Sequence, residues 1–145
     1  MTTVHEHHGG CGCGAVTFTY RCSQPLTELK ARACQCEYCK PRRQTYLSDP
    51  AGSLHVRARD ARYLYAHRFG TGTADFVHCA VCNHQVFVRC EVDGHTYALV
   101  SAPALEDYAD LDAHDPVDYG GETVDERLQR RADRWIGELV IETAG

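Results

Sequence analysis

A chain of 145 residues with a net charge of −5 has the length of one domain, enough to bury a core without disulfide staples, and the wrong sign for a general nucleic-acid binder. It has no run near the roughly eighteen apolar residues of a membrane span. Its first residues lack the apolar stretch of a secretion signal, so the expected setting is the cytosol, without a membrane partner.

Nine cysteines are present, and seven fall into tight groups: Cys11/Cys13, Cys34/Cys36/Cys39 and Cys79/Cys82. In a reducing compartment such groups point to metal rather than to disulfides. Taken in order, the polar run with His5, His7 and His8 is expected to be a mobile N-terminal arm rather than a ligand set. Gly9-Gly10-Cys11-Gly12-Cys13-Gly14 flanks two thiols with glycine, which lets the backbone turn tightly beside a metal. Val16, Phe18 and Tyr20 then alternate with threonines as a half-buried strand, ending at the lone Cys22. After Pro25, residues 26–33 read as an extended approach to Cys34-Gln35-Cys36-Glu37-Tyr38-Cys39. Three thiols within six residues, followed by Lys40, Arg42 and Arg43, are built to present thiolates and to attract an anionic ligand.

Residues 44–47 form a short strand and 49–53 a turn. Residues 54–58 and 62–67 alternate as strands. The loop at 70–73 lacks the Lys-Ser/Thr of a phosphate cradle. Residues 75–78 lead into Cys79-Ala80-Val81-Cys82 and out again along 85–90, the form of a zinc knuckle. Asn83 is expected there at positive φ. His67, His78 and His84 flank the knuckle as structural imidazoles, and Asp93-Gly94 marks a hairpin into 97–100. Cys90 stands alone. Nine of the fifteen basic residues lie between Lys30 and Arg68, whereas nine acidic residues and no Lys or Arg lie between Glu106 and Glu126. Residues 106–122 are expected to be an acidic surface connection. Thr123-Val124-Asp125-Glu126 matches a capping box, and Val124, Leu128, Ala132 and Trp135 make the stripe of an amphipathic helix over about 123–136. Leu139-Val140-Ile141 is either a last strand or a packed tail. The expected fold is a single domain, 1–145, mainly β, with a zinc-binding core at about 8–105 and one C-terminal helix.

Cys11, Cys13, Cys79 and Cys82 together supply the four thiolates of a closed tetrahedral site. Cys34, Cys36 and Cys39 then form a set of three with no local fourth ligand, as in a site that keeps one position open. Two other arrangements stay open: the group of three completed by a thiol from elsewhere, or Cys79/Cys82 as a redox dithiol.

Gly10-Cys11-Gly12-Cys13-Gly14-Ala15-Val16, Cys34-x-Cys36-x-x-Cys39 and Phe76-x-x-Cys79-x-x-Cys82, in that order from about His8 to Leu105, resemble the glutathione-dependent formaldehyde-activating enzyme family. The resemblance implies coiled antiparallel β-sheets, a structural zinc on Cys11, Cys13, Cys79 and Cys82, and a catalytic zinc on Cys34, Cys36 and Cys39. It also implies the condensation of formaldehyde with glutathione to S-(hydroxymethyl)glutathione, a carbon–sulfur lyase activity whose partners are a small thiol and an aldehyde. Lys40, Arg42 and Arg43 are the nearest cations to hold the carboxylates of such a thiol. The chain departs from the family at Gly12, often a larger residue, at Asn83, usually glycine, and at Lys40-Pro41-Arg42; no metal ligand is lost. A homodimer is left open. Two rivals from other classes stand beside this reading: a non-catalytic zinc module that docks a protein, and a metal-free redox sensor built on Cys34, Cys36 and Cys39.

Overall fold

A computed structural model of the chain describes residues 4–23, 31–34, 45–68, 72–106, 114–117 and 121–143. Its strands are β1 (His5–Gly10), β2 (Val16–Cys22), β3 (Ala31–Cys34), β4 (Thr45–Leu47), β5 (Ser53–Ala58), β6 (Leu64–His67), β7 (Asp75–Cys79), β8 (Gln85–Val92), β9 (His95–Ser101), β10 (His114–Val117) and β11 (Glu138–Thr143), with one helix, α1 (Val124–Arg134). They form a four-stranded sheet ordered β1-β2-β5-β11 and a seven-stranded sheet ordered β10-β3-β4-β9-β8-β7-β6. Pairing is antiparallel except between β10 and β3 and between β11 and β5.

The alternation in β2 does what it advertises. Val16, Phe18 and Tyr20 stand in register with Ala58, Val56 and Leu54 of β5, and all six are buried against Val77, Phe87 and Val100 of the second sheet. Removing a large apolar side chain from water contributes roughly 1.5–3 kcal/mol, so this interface is the main core. The far face of the seven-stranded sheet carries Tyr46, Val88, Cys90 and Leu99, which are covered by Trp135 and Leu128. β8 is therefore buried on both sides, which is why Val86, Phe87 and Val88 run together without a polar residue between them.

The capping box forms as expected: Thr123 Oγ1 accepts from Glu126 N at 3.1 Å, and Glu126 Oε1 accepts from Thr123 N at 3.0 Å. The stripe is shifted, however. Val124 stays exposed, and the buried position one turn before Trp135 is Arg131. Its stem covers apolar surface while Nη1 donates to Thr73 Oγ1 at 2.7 Å and to Cys90 Sγ at 3.4 Å, and the guanidinium lies 5.1 Å from the Trp135 ring centre.

Three expectations need correction. The N-terminal histidines are not a mobile arm, because β1 pairs with β2 along its whole length, from His5↔Cys22 to Gly10↔Thr17, and His7 is buried. Residues 61–63 form a 3-10 turn capped by Asp60, so the strand begins only at Leu64. The acidic stretch 106–122 is not all connection, since its residues 114–117 form β10 beside β3. Elsewhere the open choice at the C-terminus resolves as a strand, β11, and Asp93 and Gly94 both take positive φ (51° and 82°), as a two-residue hairpin of this twist requires. No helix among the described residues is long and apolar enough to cross a membrane.

Gly9 shows why β1 carries no apolar signal. A Cβ there would lie 2.2 Å from Ala104 O and 2.6 Å from Phe18 Cζ, because the strand runs directly against residues 104–106, where Glu106 N donates to His8 O. Gly9→Ala is expected to lower stability by about 1–3 kcal/mol, the usual cost of forcing atoms into a filled interface. Thermal denaturation reads this directly, and an unchanged midpoint would show that the strand and the turn can part freely.

Candidate metal centre

Two turns build the centre. In the β1–β2 connection Cys11 N donates to Val16 O at 2.9 Å, Gly14 N donates to Cys11 O, and Gly14 takes φ 79°. In the β7–β8 connection Cys79 N donates to His84 O at 2.9 Å, Asn83 N donates to Cys79 O at 2.8 Å, and Asn83 takes φ 60°. In both turns the residue after the second cysteine is left-handed. Glycine does this freely, and asparagine is among the few other residues that tolerate it. Gly12 is tied to the second turn, because a Cβ at that position would stand 3.4 Å from His84 Nδ1. His78 Nδ1 lies 3.4 Å from Asn83 O, within reach to donate, as suits a structural imidazole.

These turns bring together the four cysteines expected to meet. The sulfurs of Cys11, Cys13, Cys79 and Cys82 all lie within 4.8 Å of one another, with Cys11–Cys13 and Cys13–Cys79 each at 3.6 Å. Four thiolates at about 2.3 Å from one tetrahedral ion stand about 3.8 Å apart. A disulfide would need about 2.0 Å. The cluster therefore fits a four-coordinate metal ion and not a pair of crosslinks.

The surroundings divide the thiols. Burial pushes Cys79 up to about 11, against the backbone amides of Cys82 and Val81, which act the other way. Burial also opposes ionisation of Cys82, but the amides of His84 and Cys13, with the Cys79 and Cys13 side chains, outweigh it and bring the thiol down to about 6. Cys11 is likewise held down despite its burial, with Val16 N donating to its sulfur at 3.3 Å. The surroundings thus favour the thiolate at Cys82 and oppose it at the buried Cys79, and a bound cation would favour it at both.

Two further described cysteines lie outside this cluster. Cys22 and Cys90 are buried in the core. Cys34 is the last residue of β3, and Cys36, Cys39, Lys40, Arg42 and Arg43 fall outside the described residues. β3 pairs with β4 through Ala33↔Thr45, so the connection that carries Cys36 and Cys39 leaves and re-enters one antiparallel pair. Two buried polar residues, Thr45 at the start of β4 and Gln85 at the start of β8, carry no signal in the sequence. Each has one unpaired oxygen.

A crystal structure of a Rhodobacter sphaeroides protein matches this fold with a TM-score of 0.57 at 26% sequence identity, covering 76% of this chain and 99% of that one. The family model described as glutathione-dependent formaldehyde-activating enzyme matches residues 6–118, a span that includes all seven clustered cysteines. On that match, which takes in well over half of its length, the chain belongs to the glutathione-dependent formaldehyde-activating enzyme family.

Proposed function

We propose that this chain is a zinc-dependent carbon–sulfur lyase that adds a thiol of the glutathione type to a small aldehyde such as formaldehyde. One observation carries the reading: the four-thiol centre is complete without Cys34, Cys36 and Cys39. A second thiol group is thereby left over in a family named for thiol-dependent aldehyde chemistry.

In this reading Cys11, Cys13, Cys79 and Cys82 hold a structural zinc, and Cys34, Cys36 and Cys39 hold a second one with a position open to ligand. When bound there, zinc supplies Lewis acidity that makes a thiol ionise at neutral pH or polarises a carbonyl. The chain's own part is to hold the reactants. Lys40, Arg42 and Arg43 receive the thiol's carboxylates, and the β3–β4 pair anchors the two ends of the segment that starts at Cys34 and bears Cys36 and Cys39. In the addition the sulfur–carbon bond forms, the carbonyl π bond breaks, and the proton lost from sulfur ends on the new hydroxyl.

The test is the rate at which formaldehyde and glutathione form their adduct, followed by exchange spectroscopy with the purified protein, after chelation, and after zinc is restored. Acceleration that disappears with chelator and returns with zinc supports the proposal. A rate equal to that of the uncatalysed mixture in all three samples would favour the non-catalytic module instead.

A further inference from the structure

α1 lies beyond residue 118, outside the span that the family model matches. What fastens it to the seven-stranded sheet centres on a buried cation. Arg131 is 7% exposed, and its guanidinium, which keeps its proton in proteins, lies against Trp135 and Cys90 beneath the helix. A buried charge without an opposite one is strongly unfavourable. Yet among the described residues no carboxylate pairs with Arg131. Glu122 is engaged by Arg127 and Arg130, and Asp75 by Arg68 and Arg89. Thr73, whose hydroxyl accepts from Nη1 at 2.7 Å, is neutral.

The other acceptor of Nη1 is the sulfur of Cys90, at 3.4 Å. Cys90 is 2% exposed on β8 and belongs to the cluster of Tyr46, Val88, Leu99 and Trp135. As a thiol it has Glu91 O to donate to, but at 3.8 Å, near the limit even for sulfur. This end of the helix is rich in donors and poor in acceptors, for Arg131 Nε and Trp135 Nε1 are both buried without a partner. Burial works against the charge on Arg131, Cys90 works in its favour, and Arg130 and Arg127 add repulsion. Among the described residues, Cys90 is the group in contact with the cation that can answer it with a negative charge.

We infer that Cys90 is held as a thiolate by Arg131, and that this buried ion pair latches α1 onto β8. The latch draws on neither the four-thiol centre nor Cys34, Cys36 and Cys39, so it stands or falls apart from the thiol–aldehyde reading. It also gives the arginine at a buried helix position a reason. An apolar side chain there would cover the same surface but could not hold a charged sulfur.

The experiment uses zinc-loaded protein labelled with 13C at the cysteine Cβ, the Cys90 resonance being the one lost in Cys90→Ser. At neutral pH that resonance is expected at the position of a thiolate in wild type and at the position of a thiol in Arg131→Met. Hydrogen exchange in α1 is expected to quicken by about tenfold in either variant, the usual effect of losing a hydrogen bond to a charged group. The double variant should exchange little faster than the quicker single one, because either substitution already breaks the pair. A thiol position in wild type would overturn the inference and leave Arg131 to a bound anion. Exchange in Cys90→Ser equal to wild type would overturn the latch, and so would fully additive changes in the double variant, which mean that each side chain packs on its own. If Arg131→Met does not fold, the wild-type resonance still decides the charge and Cys90→Ser still decides the latch.

Discussion

Replacing Cys79 with serine is expected to remove the metal and most of the stability together. Cys79 is completely buried at the end of β7, and its sulfur lies 3.6 Å from that of Cys13. A metal ion held by these four sulfurs would therefore clamp the β1–β2 turn of one sheet to the β7–β8 turn of the other. Metal binding of this kind contributes on the order of 10 kcal/mol to folding, as much as the whole net stability of an ordinary domain. A hydroxyl in place of the most buried thiolate leaves three ligands and a polar group facing the core. Metal content should fall towards zero, and the thermal midpoint should fall by more than about 10 °C. Cys22→Ser provides the control: it too alters a buried thiol, but one outside the cluster, so its metal content should match wild type. If Cys79→Ser kept both its metal and its midpoint, the four-thiol centre would not be what joins the sheets.

Replacing Cys36 with serine is expected to do the opposite, removing activity and sparing the fold. Cys36 lies outside the described residues, and the four-thiol centre draws its sulfurs from Cys11, Cys13, Cys79 and Cys82. Loss of one of three ligands at an open site leaves too few thiolates to hold zinc against water. Adduct formation should then drop to the background rate of the uncatalysed mixture, with the thermal midpoint within a few degrees of wild type. An active Cys36→Ser enzyme would remove the second metal from the mechanism.

What could be read from the chain divides along physical lines. β2, β5 and the β8–β9 hairpin were legible because each carries a local signal: alternation at Val16, Phe18 and Tyr20, alternation at Leu54 and Val56, and the Asp93-Gly94 turn. The four-thiol centre was legible because spacing within each pair fixes a turn, and two such turns complete a tetrahedral shell. β1 was not, since Gly9 is small for the sake of close contact with Ala104 and the neighbouring histidines read as polar; its strand state comes from pairing with β2. β10 is a short strand that exists through its partner β3, and pairing between distant segments leaves no local periodicity. Arg131 took a place in the buried face of α1 because a long stem with a charged tip can pack where hydropathy alone predicts exposure. Thr45 and Gln85 could not be singled out from sequence, because an unpaired buried oxygen exists only once the surrounding chain is in place.

The central claim is that one chain holds two metals by two separate sets of cysteines, only one of which supports the fold. Metal content per chain, determined side by side for wild type and Cys36→Ser purified without chelator, tests it most directly. The account predicts two zinc ions in wild type and one in the variant, with both proteins folded. A single zinc in each would contradict it, leaving the four-thiol centre as the whole of the metal chemistry.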